Sequence, residues 1–465
     1  MSKASGATTP KSFTTVIVIT ALMLFSMFFG AGNLIFPPKL GTDAGVNFFP
    51  AIIGFLLTGV ALPVLAIVAI AISGRNLRDL ALRGGAVFSW AFPVLAYLSI
   101  GAFYALPRTG AVSYETGVQP VFGWDSQFYA VAFYFVFFAV ALYLAWNPNK
   151  IVSNLGKILT PALLILLLAL VGLSFIQFSP SDQPAAEKFS SAPFAAGLVE
   201  GYLTMDSIAG LAFGIIVISA LRLNGVPAGA KTVRGTIVAG AIAGALLALI
   251  YLGLGYVGWV LPNASEYDNG SGILAAAASE TMGRSGLIIF GLIVLLACMT
   301  TAVGLIAATS EFFNILAPGV SYKAWAIVFT VISFAMASQG LSQVLAIAAP
   351  IITFLYPPAI TLIALTLVEP LIGRHFGLHY TFLAGIWVAT IWSALSVLSS
   401  LGLGGDSFAA ALHLMPGQDV EFGWFLPTIV ATLIGLVADY ATRDSRPRFS
   451  PAAQPDAAAV APSSS

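Results

Sequence analysis

The sequence predicts an all-α polytopic membrane protein with 12 transmembrane helices, two of them broken in mid-span. Three observations carry that prediction. Hydrophobic residues fill 59% and charged residues 8% of the 465 positions, with a mean hydropathy of +0.96, far outside the range of soluble domains. The apolar stretches run about 17–28 residues, the length of spanning helices rather than of barrel strands. Small and polar residues interrupt two of them in mid-course, most clearly at Gly30-Ala31-Gly32-Asn33.

Segment one, 13–40, follows a polar N-terminal stretch, 1–12, expected on the cytoplasmic side; the segment breaks at 30–33 and is stopped by Pro37 and Pro38. A cleaved signal peptide would have a shorter apolar region and a small-residue cleavage site, so this reads as a retained helix. In hydrocarbon no water satisfies a freed N–H or C=O, so irregular backbone at mid-depth survives only where it lines a cavity or holds a ligand. A Gly-x-Gly alone serves close helix packing; with Asn33 and the proline pair it marks an unwound site. Segments two to five follow at 47–73, 86–113, 127–146 and 151–178, with Pro107-Arg108-Thr109 interrupting segment three. Segment six, 194–221, carries the second break around Gly201-Tyr202-Leu203-Thr204-Met205-Asp206-Ser207, followed by Gly210 and Gly214. Segments seven to twelve lie at 233–261, 285–316, 322–338, 343–368, 380–402 and 424–441. In segment seven Gly240 and Gly244 have no polar companion and read as packing contacts. The Ala-, Pro- and Ser-rich residues 444–465 read as a disordered cytoplasmic tail.

Matching breaks five segments apart predict two inverted repeats, 13–178 and 194–368, with 380–441 appended as two further helices. Alternate loops give the orientation, because 15 of the 19 Lys and Arg fall on one side, from Lys3 and Lys11 through Arg75, Arg78 and Arg83 to Arg443, Arg446 and Arg448. Both termini are thereby expected in the cytoplasm. The opposite loops are acidic, from Glu115 and Asp125 to Asp419 and Glu421.

Composition excludes several functions. A net charge of 0 with no basic run excludes nucleic acid as a partner. Cys298 stands alone, so no intrachain disulfide or cysteine metal cage can form, and His375, His379 and His413 sit in or beside loops without a carboxylate motif. No cofactor is expected. No paired catalytic groups lie at membrane depth, so the chain is not read as an enzyme, and no repeated pore loop or charged ring points to a channel.

In segment eight, Ala297-Cys298-Met299-Thr300-Thr301 places two adjacent hydroxyls in mid-membrane. A lone threonine there bonds back to its own helix, whereas two hydroxyls plus carbonyls freed by a break are what a bare small cation needs. Arg108 and Asp206 are ionisable groups at membrane depth, functional by default. Asp206 reads as a coupling-proton site, a second cation ligand, a fixed partner of Arg108, or a group in an aqueous vestibule.

The run Met23-Leu24-Phe25-Ser26-Met27-Phe28-Phe29-Gly30-Ala31-Gly32-Asn33-Leu34-Ile35-Phe36-Pro37-Pro38-Lys39-Leu40-Gly41 resembles the branched-chain amino acid:cation symporters of the BrnQ type, and Gly201 to Asp206 is similar to that family too. The resemblance covers segments one to ten and implies a LeuT-type fold within the amino acid-polyamine-organocation superfamily. It implies Na⁺-coupled uptake of leucine, isoleucine and valine across the plasma membrane by alternating access, with a proton-coupled symporter using Asp206 as the alternative. Carried over by position, the resemblance assigns the Na⁺ site to the carbonyls of Ser26, Phe29 and Ala297 and the hydroxyls of Thr300 and Thr301. It also assigns the substrate carboxylate to the N–H groups of Ala31 and Gly32 beside Asn33, and the ammonium to carbonyls of Phe28 and of 207–210, with Ser207 and Gly210 in that stretch. Phe213 would wall the side-chain pocket.

Overall fold

The computed structural model describes residues 12–74, 76–146, 151–180, 182–372 and 376–442. Residues 1–11, the tail 444–465, Arg75, Lys150, Arg374 and His375 lie outside the described residues. All regular structure among the described residues is helical. Eight helical stretches are long and apolar enough to cross a membrane, and Phe13–Phe28, Pro161–Gln177, Tyr322–Ala337 and Phe425–Ala441 are shorter apolar helices.

Segment one opens at Phe13, where the Ser12 hydroxyl accepts the Thr15 N–H at 3.2 Å, and ends at Phe28. Phe29 (ψ 91°) and Gly30 (φ −120°, ψ −168°) leave the helix, and a second helix runs Ala31–Ala44. The break is therefore narrower than expected: Ala31, Gly32 and Asn33 are helical. Asn33 is the reason, since its side-chain oxygen accepts the Gly30 N–H at 3.2 Å and caps the new helix at once. Pro37 and Pro38 lie inside that helix rather than stopping it. Neighbouring helices tolerate them, and the Thr42 hydroxyl, which donates to the carbonyls of Pro38 (3.1 Å) and Gly258 (2.9 Å), stitches this stretch to segment seven.

Segment three runs on from Ala86 to Phe122, past the expected end at 113. It kinks not at Pro107 but at Gly101 (φ −83°, ψ −107°) and Tyr104 (φ −146°, ψ −71°). Pro107 falls in the first turn of the helix Ala105–Ser113, where its missing N–H would have no partner anyway. Segment six is Pro193–Tyr202 and Asp206–Leu223, separated by Leu203, Thr204 and a left-handed Met205 (φ 64°). Segment eight is preceded by a helix from Gly270; the chain turns at Gly283 (φ 65°, ψ −170°) and continues to Leu316, close to the expected 285–316.

The second half of segment one, Ala31–Ala44, lies along segment seven, Ala230–Val260, and the first half of segment six lies along segment two, Phe48–Ser73. Both seams are backbone against backbone. A β-carbon at Gly41 would collide with the Gly255 carbonyl and one at Gly258 with that of Pro38; in the other seam, one at Gly54 would collide with the Phe194 carbonyl and one at Gly197 with that of Ala51. Gly240 and Gly244 pack as expected, each on a methyl of Val64.

Candidate functional site

Each break exposes the ends of two short helices, and the groups that satisfy those ends build the site. In segment six the Leu203 carbonyl closes the first half-helix. It accepts the Tyr104 hydroxyl at 2.6 Å and Arg108 Nη1 at 3.1 Å, so a phenol and a guanidinium from segment three cover its negative pole. Asp206 is the first residue of the second half-helix, where the positive pole favours a carboxylate. Its Oδ2 accepts from Asn33 Nδ2 at 2.7 Å and from the Tyr251 hydroxyl at 2.8 Å, and Asn33 Nδ2 also lies against that hydroxyl. Asn33 thus caps the break in segment one with its oxygen and holds the carboxylate at the break in segment six with its nitrogen. Asn33, Asp206 and Tyr251 are all at most 4% exposed.

Arg108 Nη1 donates to the Leu203 carbonyl, the guanidinium also reaches the Tyr104 hydroxyl, and Nε has no partner among the described residues. Its guanidinium carbon stands 4.3 Å from the Tyr104 ring centre and 5.4 Å from that of Phe36. It rests on the backbone of Gly32, where any β-carbon would collide with it. Arg108 and Asp206 form no ion pair among the described residues; each faces the same small cavity, Arg108 from segment three and Asp206 from segment six.

That cavity, about 50 Å³, lies between the breaks. Its polar wall is Asn33, Arg108, Thr109, Thr204, Asp206 and Thr301; its apolar wall includes Met27, Phe28, Ile100, Ala209, Phe213 and Leu305. A separate vestibule of about 770 Å³ is bordered by Arg78, Asp79, Tyr97 and Glu311, and Phe213 belongs to both. Two breaks facing one cavity with both signs of charge suit a small polar or zwitterionic cargo.

A profile described as Branched-chain amino acid transport protein matches residues 13–442. The chain belongs to this family. It is 54% identical over 424 residues to the branched-chain amino acid permease BrnQ of Corynebacterium glutamicum, covering 91% of this chain and 95% of that one. It is 39% identical over 440 residues to a putative branched-chain amino acid carrier protein of Staphylococcus haemolyticus, covering 92% of this chain and 97% of the relative. Among solved structures, the inward-facing conformation of Mhp1 superposes with a TM-score of 0.61 at 16% identity over 97% of each chain. The Eremococcus coleocola manganese transporter gives 0.55 at 13% identity, over 94% of this chain and 98% of that one. The fold is LeuT-like, and the family is one of transport proteins rather than enzymes.

In this branched-chain amino acid transport family member, Phe28, Asn33, Phe213, Thr301, Arg108 and Asp206 meet at the cavity, Gly30 also borders it, Ala31 opens the half-helix, and Gly32 carries the guanidinium. Two expected substrate residues do not meet there. The Ser207 hydroxyl donates to the Thr58 carbonyl of segment two at 3.4 Å, and a β-carbon at Gly210 would stand 2.9 Å from the Pro63 carbonyl of the same segment. Residues 207–210 are helical, so their carbonyls serve the helix; of that stretch Ala209 lines the cavity, together with Thr204, Met205 and Asp206. The hydroxyls of Thr300 and Thr301 both donate to the Ala297 carbonyl, at 2.8 and 3.1 Å, and Thr301 alone of the two lines the cavity. A β-carbon at Gly30 would stand 3.3 Å from its methyl. Ser26 and Phe29 lie at the end of the first half-helix, and the Asn33 N–H turns to the Gly30 carbonyl (3.2 Å) instead of that of Phe29. Tyr251 and Tyr104, which no sequence motif marks, join the site through their bonds to Asp206 and to the Leu203 carbonyl. Among the described residues no cluster of His, Cys, Asp and Glu could hold a metal ion.

Proposed function

We propose that this chain takes up leucine, isoleucine and valine across the plasma membrane together with Na⁺, by alternating access. The observation that carries the reading is the pair of breaks meeting at one cavity, in a member of a branched-chain amino acid transport family. The similarity to a branched-chain amino acid permease of Corynebacterium glutamicum and a putative branched-chain amino acid carrier of Staphylococcus haemolyticus supports the substrate class. In this reading 12 segments cross the membrane with both termini cytoplasmic, segments one to five and six to ten forming inverted repeats. A two-fold that carries segment one onto six also carries seven onto two, and the matching seams of one with seven and six with two support it.

Na⁺ takes the Ala297, Thr300 and Thr301 oxygens together with the carbonyls of Ser26 and Phe29, tying segment eight to the break in segment one. The amino acid occupies the cavity. In this reading the vestibule beside Arg78 faces the cytoplasm, with Phe213 between vestibule and cavity. A tenfold Na⁺ gradient supplies ~1.4 kcal/mol and ~150 mV adds ~3.5 kcal/mol, enough for roughly thousandfold accumulation with one ion. The apolar wall favours leucine over alanine by about 2.4 kcal/mol, at ~0.8 kcal/mol for each of three extra carbons, and separates leucine, isoleucine and valine hardly at all.

The buried position of Asp206 at the junction of both breaks favours one second reading, proton coupling through this carboxyl. Labelled leucine uptake into proteoliposomes separates the two. Accumulation with an inward Na⁺ gradient and none with an equal K⁺ gradient, at fixed pH and voltage, is the expected result; equal uptake in K⁺ overturns the Na⁺ site. Under the second reading, Asp206→Asn would abolish the pH dependence of uptake.

A further inference from the structure

Arg108 and Asp206 are charges of opposite sign, both at most 4% exposed, that line one cavity and do not pair with each other. A guanidinium at this depth that reaches only the Leu203 carbonyl and the Tyr104 hydroxyl, with a buried Nε without a partner among the described residues, lacks acceptors that such a group needs. It also lies on Gly32, in the first turn of the half-helix that begins at Ala31, so its charge adds to the positive pole of that helix. At the same cavity, Asp206 Oδ2 receives both Asn33 and Tyr251.

We infer that Arg108 and Asp206 are the two poles of a receptor for an amino-acid zwitterion. Arg108 takes the carboxylate, jointly with the N-terminus of the second half-helix of segment one, and Asp206 takes the ammonium. The inference rests on the amino-acid transport reading and deepens it by naming the groups that recognise the cargo's backbone. Planar guanidinium matches planar carboxylate through two parallel bonds, which helix N–H groups alone do not provide. The zwitterion brings one charge of each sign, so it satisfies both walls without adding net charge to the membrane interior. Its side chain then meets Phe28, Ile100, Phe213 and Leu305. Gly32 is required because any larger residue would displace the guanidinium.

The test is direct binding, by calorimetry on the purified full-length protein, of three probes: leucine; leucinamide, which keeps the ammonium and lacks the carboxylate; and 4-methylpentanoate, which keeps the carboxylate and lacks the ammonium. Arg108→Gln is expected to weaken leucine by about 10- to 100-fold, the range for a lost charged hydrogen bond, while leaving leucinamide within about threefold. Asp206→Asn is expected to weaken leucine in the same range while sparing 4-methylpentanoate. Gly32→Ala should reproduce the Arg108→Gln pattern, and Arg108→Lys, which keeps the charge without the fork, should fall between wild type and Arg108→Gln; these two variants serve if Arg108→Gln does not fold. Equal weakening of leucine and leucinamide by Arg108→Gln or Gly32→Ala overturns the assignment and makes Arg108 a structural cap on Leu203. Failure of the wild-type protein to bind leucine at all overturns the transport reading itself, a separate outcome.

Discussion

Replacing Asn33 by alanine removes a side chain that serves both breaks. Besides the Nδ2 contact with the Tyr251 hydroxyl, two losses dominate: the Nδ2 bond to the Asp206 carboxylate at 2.7 Å, and the cap that Oδ1 gives to the Gly30 N–H at 3.2 Å. A hydrogen bond to a charged group contributes about 1.5–3 kcal/mol and a cap about 1 kcal/mol in water-soluble proteins. Interhelical polar contacts inside membranes average nearer 0.6 kcal/mol with a maximum near 1.7, because the separated helices find other partners. Taking the membrane scale for the bond, Asn33→Ala should cost about 2–3 kcal/mol. The assay is a double-mutant cycle with Asp206→Asn, read by the stability of the purified protein and by leucine uptake. A coupling of about 1–2 kcal/mol is expected, since Asp206→Asn already removes the charge that Asn33 serves. If the two costs add to within about 0.5 kcal/mol, the link between the breaks does not exist energetically and the reasoning fails.

Thr301→Val keeps the shape and removes the hydroxyl that faces the cavity, so the Na⁺ concentration for half-maximal uptake should rise about tenfold or more, the scale of one lost charged hydrogen bond; an unchanged Na⁺ dependence counts against the cation site. Thr300→Val should act in the same direction if both hydroxyls ligate. Phe213→Ala opens the wall between cavity and vestibule, and competition assays should show leucine weakened by about 1–3 kcal/mol with bulkier side chains newly accepted. Outside the membrane, burial pushes the Glu421 carboxyl above the usual carboxylate range, with Lys188 drawing it down and Glu200 pushing it up. Folding therefore raises this carboxyl's affinity for a proton, and its contribution to stability falls as pH rises from the ordinary glutamate value through the raised one. Thermal scans from pH ~4 to ~7 should show that slope flattened in Glu421→Gln, with the variant the more stable at the upper end; superimposable curves would count against the shift.

Much of the arrangement was legible in residue order. Gly30 and Asn33 marked the first break, and Gly201 through Asp206 marked the second, because polar and small residues in mid-membrane have few other uses. The register after the second break was not legible. A left-handed residue at Met205 resets the helical phase, which turns Ser207 and Gly210 onto segment two and brings Ala209 and Phe213 to the cavity. Tyr251 was silent for another reason: a tyrosine in an apolar helix is ordinary, and its partner Asn33 lies 218 positions away. Tyr104 did leave a signal, standing four residues before Arg108 and hence on the same helical face. The extent of segment three was obscured by Pro107, whose place in a first turn depends on a kink at Gly101 and Tyr104 that no single residue announces.

The two glycine seams set what can move. Where carbonyl oxygens of one helix fill the space of absent β-carbons on another, no side chain is left between them to bend, rotate or repack. Sliding across such a contact would drive backbone into backbone. The second half of segment one and segment seven are therefore held together, as are the first half of segment six and segment two. Under the proposed alternating access, the cavity lies at the break-side ends of these two units, so a small tilt of either would open the membrane surface widely while the groups around the cavity shift little.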